Sequence, residues 1–206
     1  MEKKKEVKLD YLTNLEKHTT KNPISRLFLD NFLRTVIDTI KPLGVKSILD
    51  VGCGEGFTLS QLKKETSFQK LEGVDAVKES ITVGKKLHPD LPLKLGDIYD
   101  LDYKDNSFDI LLCTEVLEHL AKPADALKEL IRVSKKYVLV TVPNEPWFTI
   151  SRILRGKNLL QLGAHPEHIQ WWTANEFKKF VGKQKAGKIR LQKYPFPWTM
   201  ILLEKK

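Results

Sequence analysis

Short apolar segments alternate along the chain with longer segments whose apolar residues recur every three to four positions. The short segments have strand length and span Ser47–Val51, Leu71–Val74, Leu93–Leu95, Phe108–Thr114 and Tyr137–Val142. Helical spacing predicts helices at 58–64, 77–86 and 123–133, and another that precedes the first strand and ends at Pro42. This alternation is typical of a parallel sheet covered by helices on both faces, so the predicted fold class is α/β.

The alternation stops after Pro143. A stretch rich in tryptophan follows, and Thr173-Ala-Asn-Glu176 then predicts a capped helix that ends near Gly182. The last two strand-like runs are 189–193 and 198–203, with only the segment YPFP between them. Such a short connection predicts an antiparallel hairpin.

The stretch LDVGCGEG, residues 49–56, carries the first sign of a ligand site. Gly52, Gly54 and Gly56 follow the first strand and precede a helix, where bare backbone lets a ligand approach closely. Asp75 ends the second strand 19 positions after Gly56, where an acid can accept hydrogen bonds from ribose hydroxyls. Together these features favour a ligand that contains adenosine.

The spacing of the glycines argues against a dinucleotide. A dinucleotide site needs Gly-x-Gly-x-x-Gly, whereas the third glycine comes one residue early here, and Asp50 and Glu55 would repel a diphosphate. No lysine stands before Ser or Thr at this loop, which excludes a P-loop. S-adenosylmethionine is positively charged at its sulfonium and ammonium groups and has no phosphate, so it suits an acidic loop.

Four segments resemble the motifs of class I S-adenosylmethionine-dependent methyltransferases. In chain order they are ILDVGCGEG, LEGVDAVKESI, LGDIYDLDYKDNSFDILLCTEVLEHL and LIRVSKKYVLVTVPN. The resemblance covers roughly residues 45–145 and is strongest to the methyltransferase type-11 group, which includes ubiquinone-biosynthesis O-methyltransferases. It implies a Rossmann-like fold with a seven-stranded sheet in the order 3-2-1-4-5-7-6, in which strand 7 is antiparallel.

The resemblance also implies which residues bind the cofactor. Gly52, Cys53 and Gly54 would line its methionine part through their backbone, Asp50 would orient their loop, and Gly56 would complete it. S-adenosyl-L-homocysteine would be the product.

Two further motifs would bind the nucleoside. Asp75, with Ala76 beside it, would hold the ribose hydroxyls. Asp97 would accept a hydrogen bond from the adenine amino group, and Ile98 would pack on the ring. A plain turn aspartate is the alternative for Asp97.

Methyl transfer is a displacement at carbon, so alignment of the acceptor with the methyl–sulfur bond supplies much of the rate. The resemblance places Thr114 and Glu115 near the methionine ammonium. A protonated acceptor would benefit from a base, and His119, His165 and His168 are the catalytic candidates. The alternatives are helix capping or packing for His119 and loop-stabilising hydrogen bonds for the other two. No metal site is predicted, because no second ligand pair accompanies His165 and His168.

Positive charge is concentrated late in the chain. The formal net charge is +9, and residues 151–206 hold 12 Lys or Arg against three acidic residues, so they account for the whole excess. This composition is compatible with a solvated surface, or with attraction of an anionic acceptor, a nucleic acid or a membrane. The apolar and basic residues of 147–160 predict an amphipathic helix that contacts a membrane surface, holds a hydrophobic acceptor or packs on the core.

The predicted function is methyl transfer to an O, N or C atom of a small molecule. An RNA-modifying methyltransferase that uses the basic final quarter is one alternative, although CTEV stands where a motif for flipped bases would follow strand four. A protein that binds S-adenosylmethionine without turnover is the other. The sequence sets neither the acceptor nor the oligomeric state.

A single domain over 1–206 is expected, because neither an internal repeat nor a linker interrupts the chain. Its predicted parts are an N-terminal helical cap (1–44), a cofactor-binding core (45–145), an acceptor lid with a helix (146–187) and a terminal hairpin (188–206). The sequence has no signal-peptide pattern and no apolar run of transmembrane length, so we expect a cytoplasmic protein. Cys53 and Cys113 are expected to be reduced.

Overall fold

The computed structural model describes residues 15–65, 67–154, 168–185 and 187–206. Its strands are β1 (Ser47–Val51), β2 (Lys70–Asp75), β3 (Leu93–Leu95), β4 (Phe108–Thr114), β5 (Ser134–Pro143), β6 (Gly187–Lys193) and β7 (Trp198–Lys205). Its helices are α1 (Pro23–Ile40), α2 (Phe57–Glu65), α3 (Lys78–Leu87), α4 (Pro123–Val133), α5 (Trp147–Leu154) and α6 (Ala174–Lys183). Residues 15–19 are also helical, and Lys41–Leu43 and Leu117–His119 form short 3₁₀ turns.

The strands form one sheet in the order β3-β2-β1-β4-β5-β7-β6. The first five strands pair in parallel, whereas β7 runs antiparallel to both of its neighbours, β5 and β6. The predicted α/β class and strand order are therefore confirmed. Because residues 194–197 alone connect β6 to β7, the chain reverses there, and β7 fills the position between β5 and β6.

Apolar residues on both faces of the sheet form two core layers. In β1, Ile48 points into the layer with α1, α2 and α3, whereas Leu49 and Val51 point into the layer with α4 and α6. The side chains of all five β1 residues are buried. This double burial explains why the central strands read as continuous apolar runs in the sequence.

Local capping fixes the ends of two helices. The Asn22 side chain accepts a hydrogen bond from Ser25 N at 3.0 Å, and Pro23 occupies the first turn of α1. At α6, Thr173 and Glu176 form the predicted capping box. The helix ends at Lys183, one residue beyond the predicted end.

Cys53 and Cys113 are both buried free thiols, as the sequence predicts for unpaired cysteines. Of the helices within the described ranges, none is both long enough and apolar enough to cross a bilayer.

Asp109 connects the starts of β1 and β4, at the amino ends of these two central strands. Its Oδ2 accepts hydrogen bonds from the backbone N–H groups of Lys46 and Ser47 at 2.8 and 3.0 Å. Its own N–H donates to Ser47 Oγ at 2.8 Å. The carboxylate therefore holds the start of β1 against β4.

Asp109→Ala should lower the free energy of unfolding by about 1–3 kcal/mol, because the exposed N–H of Lys46 and the partly buried N–H of Ser47 lose their acceptor. Urea denaturation measures this difference. Asp102→Ala is the matched control, since that exposed side chain should contribute less than about 0.5 kcal/mol. Equal effects of the two substitutions would contradict the role given to Asp109.

Candidate functional site

The segment between β1 and α2 forms a tight loop, here called the glycine loop, at residues 52–56. Gly52, Gly54 and Gly56 all have positive φ angles, of 77°, 54° and 85°. Gly52 N and Cys53 N both donate to Val74 O, at 2.8 and 3.1 Å. The loop thereby folds back over the end of β2 with its backbone exposed to a ligand.

A side chain at Gly52 would meet a neighbouring loop. A Cβ atom there would lie 2.2 Å from Val116 Cγ2, which is closer than non-bonded atoms approach. Position 52 therefore requires glycine both for its backbone angles and for its contact with the loop after β4.

Asp75 fixes the glycine loop from the end of β2. Its Oδ2 accepts a hydrogen bond from Gly54 N at 2.7 Å, and its Oδ1 accepts one from Val77 N at 2.8 Å. A carboxylate offers about four acceptor positions, so it can also accept from ligand hydroxyls. The same side chain thus shapes the loop and faces the ligand space.

Asp50 lies beneath this loop with an uncompensated charge. Its side chain is buried, and neither carboxylate oxygen has a hydrogen-bond partner in the described ranges. Loss of water on burial, with repulsion from Asp75, raises the pKa of Asp50 to about 7. A positively charged ligand group nearby would stabilise the ionised form.

The glycine loop borders a cavity of about 580 Å³ at the carboxyl ends of the parallel strands. The predicted site residues that line it are Gly52, Cys53, Gly54, Asp75, Ala76, Ile98, Thr114, Glu115, His119 and His168. The topology brings them together because parallel strands end at the same edge of a sheet. This edge is also where ligands bind in open α/β sheets.

Three predicted residues do not line the cavity. Asp50 lies beneath the glycine loop, and Gly56 ends it at a position where an added Cβ would lie 3.1 Å from Leu93 Cδ1. Asp97 is exposed, and its Oδ1 accepts a hydrogen bond from Tyr99 N at 2.9 Å. This is the turn geometry that was the alternative for Asp97. His165 lies outside the described residues.

One end of the cavity combines polar and aromatic side chains. The rings of His119 and His168 lie 5.0 Å apart, and Phe148 lies 5.6 Å from His168. Glu118 lines the same end, and its side chain is buried. Burial raises the pKa of Glu118 to about 8, although the positive charge of Lys17 opposes this shift.

Lys17 and His18 enter the cavity from the helical segment before α1. Lys17 Nζ forms an ion pair with Glu115 and lies 5.2 Å from the centre of the Trp198 ring. Burial lowers the pKa of Lys17 to about 8, an effect that the charge of Glu118 partly offsets. The His18 ring stacks on Phe57 at 4.4 Å and lines the cavity.

Sequence reasoning missed these side chains for different reasons. Glu118 stands among apolar residues in EVLEHL, and its position three residues after Glu115 was a signal that both side chains face the same site. Lys17 and His18 precede the first predicted helix and belong to no motif. Only the packing of their segment across the sheet edge brings them to the cavity.

The backbone after β4 does not continue as a helix. Glu115 has a positive φ of 58°, and the following turn at Leu117–His119 is 3₁₀. The αL conformation is uncommon for a residue with a side chain, and it often marks a functional position. Here it directs the chain so that Glu115 and Glu118 both face the cavity.

The basic final part of the chain contributes little to the cavity. Arg152 lines it from α5, but none of the lysines within 168–185 and 187–206 does. Lys178, Lys179, Lys183 and Lys188 are exposed on α6 and β6. For these side chains the structure agrees with a solvated surface.

Comparison with known proteins finds similarity to methyltransferases. Residues 49–140 match a family model described as a methyltransferase domain. A mitochondrial ubiquinone biosynthesis O-methyltransferase from Saccharomyces cerevisiae is 28% identical over 159 residues, which is 70% of this chain and 50% of that protein. The chain spans about half or less of the length of the first curated relatives it matches.

Two solved structures share the fold. A SAM-dependent methyltransferase from Aquifex aeolicus superposes with a TM-score of 0.69 at 17% identity, covering 93% of this chain and 97% of that one. Magnesium protoporphyrin IX methyltransferase from Synechocystis, solved with bound SAH, gives a TM-score of 0.67 at 14% identity, with 96% and 94% covered. At these identities the likeness is one of fold.

Gly52→Ala should destabilise the protein by about 2–5 kcal/mol, because it adds a clash with Val116 to the cost of a left-handed alanine. Gly44→Ala is the matched control: Gly44 has a φ of 65° and nothing within 4 Å of its added Cβ. It should cost only about 1–2 kcal/mol. Chemical denaturation measures both values.

A double-mutant cycle tests the cause of this difference. Val116→Ala removes the clashing methyl group, so Gly52→Ala combined with it should cost less than the sum of the two single changes. The expected coupling is at least about 1 kcal/mol. If the two changes in the free energy of unfolding simply add, the contact with Val116 does not cause the extra destabilisation by Gly52→Ala.

Proposed function

We propose that the chain is a class I S-adenosylmethionine-dependent methyltransferase, which its match to a methyltransferase domain and its curated relatives support, and that it transfers a methyl group to a small-molecule acceptor. The cofactor lies across the glycine loop, and the acceptor occupies the end of the cavity beside Glu118 and Phe148. Asp50 carries this proposal. An unpartnered buried carboxylate under a ligand loop favours a cation and would oppose a diphosphate.

The proposed cofactor orientation is the one that the resemblance to class I methyltransferases implies, and the loop geometry is compatible with it. The methionine part runs along the backbone of Gly52 to Gly54, with its ammonium toward Thr114 and Glu115. Asp75 accepts from the ribose hydroxyls, next to Ala76. The adenine lies between Val77 and Ile98, both of which line the cavity. Asp97 caps the adjacent turn, and its contact with the adenine amino group remains a proposal.

The walls of the acceptor end favour a small, partly apolar molecule. Phe32, Phe148 and Trp198 supply aromatic surface, and His119 and His168 supply hydrogen-bonding groups. A cavity of about 580 Å³ is in the range of small-molecule sites, and the cofactor fills much of it. The position of the lysines of α6 and β6 away from this cavity supports a small molecule over RNA.

The proposed reaction is a direct displacement. A lone pair of the acceptor atom attacks the methyl carbon while the carbon–sulfur bond breaks, and the electron pair moves to sulfur to give S-adenosyl-L-homocysteine. Holding both reactants in line supplies much of the acceleration. His119 and His168 are the histidines positioned at the acceptor end to take a proton from a protonated acceptor. His165 keeps its predicted role only as a hypothesis.

S-adenosylmethionine and S-adenosyl-L-homocysteine should raise the melting temperature of the protein, whereas NAD should not. Asp75→Ala should remove most of the shift, because the glycine loop loses its anchor and the ribose loses its acceptor. Asp90→Ala, at a side chain that is 63% exposed, is the matched control and should respond as the parent does. A shift with NAD would contradict the cofactor assignment.

Turnover is tested in the same samples. Incubation with methyl-labelled cofactor and a pool of small metabolites should release S-adenosyl-L-homocysteine and transfer the label to a small molecule. Cofactor binding without transfer to any acceptor pool would favour a non-catalytic binding protein. Transfer to RNA that weakens steeply with salt would favour the RNA-modifying alternative.

The affinity for S-adenosylmethionine should rise with pH. The pKa of Asp50 is raised to about 7 in the folded protein, so the carboxyl group holds its proton in acid and ionises as the pH passes that value. The ionised form attracts the cationic cofactor. Calorimetry at about pH 5.5 and about pH 8 should therefore show tighter binding at the higher pH.

Asp50→Asn should flatten this profile. The substitution should also change the pH dependence of unfolding in the cofactor-free protein. Because folding raises the pKa of Asp50 from 3.8 to about 7, its carboxyl group stabilises the fold at low pH, and this contribution to the free energy of unfolding is lost as the pH rises from about 4 to about 7. The Asn variant should lack this component of the pH dependence of unfolding. An unchanged binding profile in the variant would show that another group controls the affinity.

A further inference from the structure

Three side chains at the acceptor end form a group that the proposed reaction only partly uses. Glu118, His119 and His168, here called the Glu–His cluster, each offer one ligand atom, and these atoms all lie within 4.8 Å of one another. All three line the cavity. Two of them come from the 3₁₀ turn after β4, and the third comes from a segment about 50 residues later in the chain.

Backbone hydrogen bonds hold the two segments of the cluster together. Ile169 N and Gln170 N both donate to Glu118 O at 2.9 Å. The Gln170 side chain also donates to Leu120 O, at 3.1 Å. His168 directly precedes these residues, so its ring is carried to the 3₁₀ turn by a fixed connection. The cluster is therefore preorganised by the backbone.

Glu118 is the unusual member. Its side chain is 1% exposed, and neither carboxylate oxygen has a hydrogen-bond partner in the part of the chain that the structure describes. An isolated buried carboxylate is costly unless a positive charge or a metal ion accompanies it. The ammonium of Lys17 is close enough to act on Glu118 electrostatically, but it is directed at Glu115.

We propose that Glu118, His119 and His168 bind a divalent transition-metal ion that holds an acceptor hydroxyl for methylation. This inference rests on the proposed function, narrows its acceptor to an oxygen nucleophile, and replaces the base role of His119 and His168, because an imidazole nitrogen that binds a metal ion cannot also take a proton. It departs from the sequence-based prediction of no metal site, which considered His165 and His168 as a pair and did not include Glu118. The metal ligands come together only in the folded chain.

The donor set selects the class of ion. Two imidazoles and one carboxylate suit Mn²⁺, Fe²⁺, Co²⁺ or Zn²⁺, whereas Mg²⁺ and Ca²⁺ prefer oxygen ligands alone. Three protein ligands leave coordination positions open, and these face the cavity where the acceptor binds.

The charges around the cluster suit an ionised hydroxyl. Lys17 neutralises Glu115, so a divalent ion on Glu118 would leave one net positive charge. The acceptor oxygen neutralises that charge when its proton leaves to solvent. Its lone pair then forms the bond to the methyl carbon, and the carbon–sulfur pair remains on sulfur. One proton is released for each methyl group transferred.

The cluster lies next to the proposed cofactor position. Val116, two residues before Glu118, contacts the glycine loop so closely that position 52 cannot carry a side chain. The turn that bears the cluster is thus packed against the loop that holds the methionine part. A hydroxyl bound to the ion would lie beside the methyl group.

Cobalt binding tests the site without turnover. The full chain, first treated with a chelator, is titrated with Co²⁺ while visible absorption and calorimetry are recorded. We expect one ion per chain with a d–d band typical of nitrogen and oxygen ligands, and Zn²⁺ should displace it. Binding of Mg²⁺ should be at least about 10-fold weaker.

Variants assign the ligands. Glu118→Gln and His168→Ala should each weaken Co²⁺ binding by at least about 10-fold. His88→Ala is the matched control, because this histidine lies outside the cavity, and it should bind as the parent does. Lys17→Met should bind Co²⁺ several-fold more tightly, because it removes a positive charge near Glu118. Circular dichroism and binding of S-adenosyl-L-homocysteine establish that each variant is folded.

Equal Co²⁺ binding by the parent and the Glu118→Gln/His168→Ala double variant, or no binding by either, would overturn the proposal. The same samples separate it from the proposed function. Co²⁺ binding without cofactor binding would support the metal site and contradict the proposed methyltransferase function. Cofactor binding without Co²⁺ binding would support that function and contradict the metal site.

Discussion

The site depends on one carboxylate that holds two loops in a single arrangement. Asp75 accepts hydrogen bonds from Gly54 N and Val77 N, at 2.7 and 2.8 Å, and so joins the loop after β1 to the loop after β2. The glycine loop in turn packs against Val116 in the segment after β4. The ligand-facing backbone and the Glu–His cluster are therefore linked through contacts that begin at the end of β2.

Buried negative charge is the second feature that links the structure to its chemistry. Asp50 in β1 and Glu118 in the 3₁₀ turn after β4 are each buried and each without a hydrogen-bond partner in the described ranges. Such groups lower the stability of the ligand-free fold, so their presence implies that the bound state compensates them. One carboxylate suits a cationic cofactor, and the other suits a metal ion with its acceptor. A structure with both sites filled would no longer carry this cost.

The sequence predicted the elements better than the individual contacts. The bounds of β1, β3, β4 and α4 were read directly from apolar runs and from Pro123, because central strands are buried on both faces and proline suits a first turn. The local alternative for Asp97, a turn aspartate, agrees with its hydrogen bond from Tyr99 N. Local pattern could not bring Lys17 and His18 to the cavity, because their contacts are with residues far away in the chain. Family motifs covered the cofactor half, whereas the acceptor half depends on tertiary packing.

The position of β7 has a consequence for how the protein matures. Trp198 begins this strand and lines the cavity. In the sheet, β7 lies between β5 and β6, although it follows both of them in the sequence. During synthesis the glycine loop and Asp75 leave the ribosome well before the residues that close the acceptor end. The part of the cavity wall that Trp198 forms is therefore completed only when β7 has paired with β5.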